Sequence, residues 1–330
     1  MPCRLLVRLD ANNNVGYGHI VRTGGLLEQI KTPLSPVIVG ALDDPPIGIA
    51  ETLPYSNSAG GSALEEAIAA VKPDAILVDL PAWVDRPWAA FKRAGVPVIA
   101  IDDEGGPVEA DLIVNGTALD EYHRYDEPGP PARKLIGPGY ALLRASFGAI
   151  SWRQPATPRL LIVIGSGERA HNWAHRLVDS GLDGLPVAAV DIVVGAAFAD
   201  PKNLKCRDLV TIHQNVPAAA LAELMANASV GLMTGGMVVY EALAVGLPVV
   251  AFPLIANMVP EIAWFAARGS ISDLGYDGGM DMSLVRERVA ALLGDKAAAE
   301  AEAQSAAGRA IIDGQGSRRV ARAIDALLAP

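Results

Sequence analysis

The sequence predicts an α/β protein made of two Rossmann-like, doubly wound domains facing across a cleft. Three observations lead there. Short β-branched runs alternate with alanine-rich, helix-compatible segments, and continuously apolar strands separated by helices imply parallel sheets covered on both faces. The alternation breaks once, at residues 146–160 (SFGAISWRQPATPRL), which hold glycine, serine and two prolines and end where a fresh strand begins. Both halves also open alike. RLLVRL leads to a loop with Gly16 and Gly18, RLLIVI to a loop with Gly165 and Gly167, and a helical segment follows each.

In chain order, the first domain (1–150) holds expected strands at 4–9, 36–40, 75–79, 97–102 and 112–115. The second (158–315) holds expected strands at 159–165, 190–195, 209–213, 229–233 and 248–252. The remaining segment, 316–330, carries Val320, Ile324 and Leu327 at helical spacing and is expected to pack as a closing helix. At 330 residues with 51% apolar content, the chain can build this much core.

Composition narrows the function classes. A net charge of −10 argues against a nucleic-acid binder, which would normally carry a basic patch or stripe. The two cysteines, Cys3 and Cys206, are far apart and read as free thiols of a cytosolic protein. The first residues reach Asp10 before a signal-peptide core forms. The most apolar run, 242–256, is too short for a membrane span and contains Pro248 and Pro253. The expectation is a soluble cytoplasmic protein with no membrane span. Its oligomeric state is not written in the sequence.

Two segments could carry chemistry. The first is NNNVGYGHIVR (12–22), a glycine turn that delivers His19 to its exit. A dinucleotide fingerprint would need a third glycine where Val21 stands, and a ribose-binding acid about twenty residues on; Asp43 and Asp44 lie further along. At the carboxyl end of the first strand, His19 would face the crevice where open α/β sheets bind ligands. An imidazole there can take a proton from water near neutral pH. The loop alone leaves a helix-cap histidine as an equal reading. The second segment runs from Leu232 to Pro253, where a strand reaches Gly235–Gly236 and a helix starts at about Met237. Exposed N–H groups and the positive dipole end suit a diphosphate. Glu241, one turn further in, could accept two hydroxyls of a ribose, or be a surface acid in the first turn. Gly165, Ser166 and Gly167 offer a second set of backbone donors in the same domain.

Other groups weigh less. Asp102, Asp103 and Glu104 could bind a metal or orient a histidine, and otherwise form a solvated turn. His171 and His175 stand one helical turn apart but lack the glutamate of H-E-x-x-H. His123 and His213 have no visible partner. No nucleophile elbow, P-loop lysine motif or cysteine zinc site is found.

Taken together, these segments resemble a known family. RLDANNNVGYGHIVR is similar to the Arg/Ser-x-Asp, Gly-x-Gly-His-x-x-Arg opening of the UDP-2,4-diacetamido-2,4,6-trideoxy-β-L-altropyranose hydrolase of pseudaminic acid biosynthesis. IAIDDE, IGPGYALLRASF, GGMVVYEALAVGLP and WFAARG follow in order, so the resemblance spans about residues 8–269. It implies the GT-B fold of nucleotide-sugar glycosyltransferases, including the one that makes lipid II. By resemblance, His19 is the catalytic histidine, acting on a water that attacks the anomeric carbon with inversion. No metal or other cofactor is expected, and the partner is a UDP-sugar. Asp10, Gly16, Tyr17, Gly18, Arg22, Asp102 and Tyr140 would lie on the sugar side. Gly165, Ser166, Gly167, Gly235, Gly236, Met237, Glu241 and Asn257 would hold the nucleotide. A glycosyltransferase on the same scaffold, and a non-catalytic nucleotide-sugar binder, are the alternative readings.

The chain departs from the family in places. Asp-His-Tyr after the third strand is replaced by Asp79-Leu80-Pro81, the second-domain loop reads GSGE, and an Asn-Gln pair becomes Asn257-Met258. Gly24 and Gly25 sit inside the first helix, where each costs about 1 kcal/mol relative to alanine. Nothing in the sequence accounts for that pair.

Overall fold

The computed structural model describes residues 1–330 except 13–14, 16, 44–50, 55–60, 82–83, 127–130, 166–167, 196–197, 199–200, 202–203, 205–207, 277–280, 294–296 and 330. The chain forms two compact units. One comprises Met1–Arg144 together with Gln315–Pro330, the other Ala145–Gly314.

The first unit contains β1 (Cys3–Leu9), β2 (Leu34–Gly40), β3 (Glu51–Pro54), β4 (Ala75–Asp79), β5 (Val98–Ile101), β6 (Gly106–Pro107), β7 (Leu112–Asn115), β8 (Tyr125–Asp126) and β9 (Arg133–Ile136). Seven of these form one sheet in the order β3-β2-β1-β4-β5-β7-β9, and β6 pairs with β8 apart from it. The pairings in the large sheet are parallel. Alternate residues of each strand point to opposite faces, and here both faces are buried. Leu5, Val7 and Leu9 of β1 join one apolar cluster, while Leu6 joins another with Val37, Val39, Ile76 and Val78. That two-sided burial is why these strands read as unbroken apolar runs. The helices here are α1 (Gly18–Leu27), α2 (Gly61–Val71) and α3 (Trp88–Arg93).

The second unit holds β10 (Arg159–Ile164), β11 (Ala189–Val194), β12 (Val210–Gln214), β13 (Val230–Met233), β14 (Val249–Ala251) and β15 (Ser272–Asp273). They form a parallel sheet in the order β12-β11-β10-β13-β14-β15. Its helices are α4 (Ala145–Ala149), α5 (Glu168–Arg176), α6 (Ala218–Asn227), α7 (Met237–Val245), α8 (Val259–Ala266), α9 (Met282–Ala291) and α10 (Ala298–Ile311).

The chain passes into the second unit at Ala145 and returns at Gln315, where α11 (Gly316–Leu327) packs on the first sheet. Val320, Ala321, Ala323 and Ile324 bury against the β1 face. Ser317 Oγ donates to the Leu143 carbonyl at 2.7 Å, and the Asp325 carboxylate accepts from the Lys31 and Thr32 amides at 3.1 and 2.8 Å. The structure also accounts for half of the glycine pair in α1. A Cβ on Gly25 would stand 3.2 Å from Arg144 Cγ, whereas one on Gly24 would meet nothing within 4 Å.

In both sheets the strand order reverses next to the first strand of the unit, at β1/β4 and at β10/β13. Loops leaving the carboxyl ends of such strands are where open α/β sheets bind ligands. His19 follows β1 and Gly235 follows β13. Among the described residues no helix is long and apolar enough to cross a membrane.

Candidate active site

In the first unit, three neighbouring strands bring charged residues to the same edge. The register pairs Leu9 with Asp79 and Asp79 with Ile101, so the chain leaves β1, β4 and β5 side by side. The helix α1 that starts after β1 carries His19, Arg22 and Thr23, spaced i, i+3 and i+4 and therefore on one face. All three reach the Asp79 carboxylate. His19 Nδ1 lies 2.7 Å from Asp79 Oδ1, Thr23 Oγ1 donates to Oδ2 at 2.7 Å, and Arg22 donates through Nη2 at 2.6 Å and Nε at 3.0 Å. Arg22 then spends Nη1 on both oxygens of Asp103, at 2.8 and 2.7 Å.

This geometry fixes the chemistry of the imidazole. A carboxylate only accepts, so Nδ1 is the nitrogen that carries a proton toward Asp79, and in the neutral ring the lone pair sits on Nε2. Burial alone would raise Asp79. The charge of Arg22, with hydrogen bonds from His19 and Arg22, outweighs it and holds the carboxyl well below the usual range. Burial works against the Arg22 cation too, but Asp103 and Asp79 more than compensate and keep it charged. Asp79 is wholly buried and His19 is 14% exposed.

Several residues expected on the sugar side have protein partners. Arg22, read from the sequence as a sugar-side residue, has its guanidinium committed to two carboxylates. Asp10 is buried, accepting from Arg8 Nη1 at 2.5 Å and from the Ala41 amide at 2.9 Å, which ties the ends of β1 and β2 together. Asp102 is buried as well. It accepts from Arg86 Nη1 at 2.6 Å, the Tyr125 hydroxyl at 2.9 Å and the Gly105 amide at 2.6 Å. Burial and the Asp102 charge push the Tyr125 phenol far above its ordinary range. Residues 102–104 therefore do not act as one acidic group: Asp102 turns inward, Asp103 holds Arg22, and Glu104 is exposed. The acid that orients the histidine is Asp79. Its signal was present in AILVD, an apolar strand ending in a lone acid beside the strand that launches His19. The pairing across sixty residues becomes visible only once β1 and β4 are known to be neighbours.

Tyr17 is exposed at the start of α1, beside an unobstructed Gly18. Tyr140 ends a 3₁₀ turn, half-buried against the core that α11 covers. Leu80, next to Asp79, is buried. Gly16 and part of the loop after Pro81 lie outside the described residues.

In the second unit the corresponding edge is made of backbone. Gly235 and Gly236 have φ of +93° and +76°, and α7 begins directly after them with no side-chain cap. Glycine adopts these values without penalty, and successive amides in such turns make anion-binding concavities. Gly235 is required for a second reason: a Cβ there would stand 3.0 Å from Ile262 Cδ1 and 3.2 Å from Met258 Sδ. The Met258 thioether thus packs against the turn. Glu241 is buried, so the reading of it as a surface acid does not hold. Met237 and Asn257 are exposed, as is Gly165 at the end of β10; Ser166 and Gly167 lie outside the described residues.

His213 and His123, which have no visible partner in the sequence, find polar ones here. His213 Nε2 contacts Asp191 Oδ1 at 2.9 Å, and Arg159 Nη2 donates to Asp191 Oδ2 at 3.0 Å, in a cavity of about 610 Å³ in the second unit. His123 Nε2 lies 3.0 Å from the Thr117 carbonyl. The His171 and His175 rings lie with centroids 4.5 Å apart, tilted by 60°, and Phe198 lies 5.1 Å from His171.

The two parallel sheets, each reversing its strand order beside its first strand, define a class: the chain has the GT-B fold. The calicheamicin glycosyltransferase CalG4 superposes with a TM-score of 0.67 at 20% identity, covering 100% of both chains. MurG of Acinetobacter baumannii gives 0.65 at 14% identity, covering 98% of this chain and 99% of its own. In sequence, the chain is similar to the UDP-2,4-diacetamido-2,4,6-trideoxy-β-L-altropyranose hydrolase of Campylobacter jejuni, at 22% identity over 275 residues, 81% of this chain and 97% of the relative. That agrees with the resemblance carried by the motifs. It is also 24% identical over 270 residues, 75% of its length, to an uncharacterized protein of Methanocaldococcus jannaschii, of which the match spans 55%. No family model matches the chain.

Proposed function

We propose that the protein is a nucleotide-sugar hydrolase that removes UDP from a UDP-diacetamido-trideoxyhexose, in the biosynthesis of a nonulosonate such as pseudaminic acid. The observation that carries this reading is the His19–Asp79 pair at the carboxyl ends of β1 and β4. In the proposed reaction His19 Nε2 takes a proton from water. The water oxygen forms a bond to the anomeric carbon as the bond from that carbon to the diphosphate oxygen breaks. UDP leaves with the electron pair, and the configuration inverts. Asp79 holds the tautomer and stabilises the imidazolium that forms. The α7 amino end, with Gly235 and Gly236, is assigned to the diphosphate. Glu241 is assigned to the ribose, and Gly165 and Asn257 to the nucleotide. The similarity to the Campylobacter jejuni hydrolase supports the substrate class.

The fold neighbours favour a second reading. In a glycosyltransferase the same histidine would deprotonate an acceptor hydroxyl instead of water. One experiment tests both: purified protein is incubated with a panel of UDP-diacetamido-trideoxyhexoses, with and without acceptor, and the products are identified. Free sugar plus UDP without acceptor is the expected result. UDP release that requires acceptor would establish transfer, and UDP binding with no turnover would leave a binding protein. His19→Leu is expected to abolish turnover while UDP still binds; undiminished hydrolysis would remove His19 from the mechanism.

A further inference from the structure

We infer that Asp103 is a positioning residue that balances the charge of Arg22 and so keeps His19 able to accept a proton. The inference rests on His19 being the base. Arg22 poses the problem. Its Nη2 lies 3.2 Å from His19 Nδ1, and both groups point at the same oxygen of Asp79, at 2.6 and 2.7 Å. Unopposed, Arg22 would be a cation beside an imidazole that must become cationic, and a competitor for the imidazole's own carboxylate. Asp103 grips the far side of the guanidinium with both oxygens.

The charge count shows the effect. Asp79, Asp103 and Arg22 sum to −1, which an imidazolium brings to zero. Without the Asp103 charge the sum is zero before proton transfer and +1 after it. Among the described residues, the charged groups facing His19 are Asp79 from β4 and Arg22 from its own helix, with Asp103 reached through Arg22. The adjoining Arg8–Asp10 pair is internally neutral. Asp103 is itself held in place, because Asp102 beside it is locked by Arg86, Tyr125 and the Gly105 amide. Asp79 is fully buried and Asp103 is 40% exposed, so the second carboxylate can be altered without opening the core.

The test is Asp103→Asn, which removes the charge and keeps the shape, with Asp103→Glu as the conservative control. The pH titration of the His19 ring is followed by NMR in the free protein, its signal assigned with His19→Leu. Removing a nearby negative charge disfavours the imidazolium. The Asp103→Asn midpoint is therefore expected to move down by roughly one pH unit, while Asp103→Glu stays near the wild-type value. In turnover, the rising limb of kcat/KM against pH should move down equally, and the plateau should fall about threefold to tenfold with KM little changed. An unchanged titration in folded Asp103→Asn protein overturns the inference. A shifted titration in a protein whose turnover survives His19→Leu upholds the charge balance and removes the hydrolase reading instead.

Discussion

The two units use the same topology and equip it oppositely. At its strand reversal the first unit presents side chains: Asp79, Asp103, Arg22 and His19, paired in one network around the buried Asp79. The second presents backbone, with two positive-φ glycines at an uncapped helix start. Side chains can gain and lose protons and be tuned by neighbours. Backbone amides cannot titrate, but they offer fixed dipoles that suit a group carrying permanent negative charge. The difference matches the proposed split of labour, with proton handling in one unit and nucleotide holding in the other.

That contrast can be broken most severely at Asp79. Asp79→Ala removes the histidine's partner and leaves Arg22 buried with one carboxylate. Turnover in the assay above should fall by about 10²–10⁴-fold, and urea denaturation should show a loss of about 3–5 kcal/mol. No single side chain in the second unit's turn should matter as much. The counterpart there is Gly235→Ala, which forces a strained φ and drives a Cβ against Ile262 and Met258. A cost of about 1–3 kcal/mol is expected, with weaker UDP binding by calorimetry and an unaltered His19 titration. A changed titration would show that the two edges are not independent.

Acid sharpens the comparison next. Asp79 is depressed in the folded state, so its contribution is fully present above the ordinary aspartate value of about 3.9 and is lost as pH falls towards its lower folded value. Thermal melts between pH 2 and 5 should show the first unit losing stability below about pH 4, with the slope flattened in Asp79→Asn. The smallest effect is expected in α1. Gly24→Ala meets open space and should stabilise by about 1 kcal/mol, whereas Gly25→Ala must push Arg144 aside and should gain less. Equal gains would mean that the Arg144 contact carries no weight.

The parallel sheets and the Gly235–Gly236 turn were legible in the sequence because each is a local pattern. Continuous apolar runs report two-sided burial, and glycines report backbone demands. His19 was legible as a candidate, but its protonation chemistry was not. That chemistry depends on Asp79, sixty residues away and adjacent only through the β1–β4 register. The partners of Arg22, Asp10 and Asp102 were hidden for a related reason. A charged residue in a loop reads as available, and only three-dimensional pairing reveals the protein groups it already binds. Met258 read as a lost amide because composition cannot show a thioether packed against a turn.

The return of α11 to the first unit has a consequence for how the protein is made. The second unit is one continuous stretch, Ala145–Gly314, and can fold as soon as that stretch leaves the ribosome. The first unit begins earlier and finishes later. Until Gly316–Leu327 arrives, the face carrying Leu5, Val7 and Leu9 lacks the cover of Val320, Ala321, Ala323 and Ile324. The half proposed to do the chemistry is thus the last to become complete. A chain interrupted during synthesis before residue 315 would carry a finished second unit and an unfinished first one.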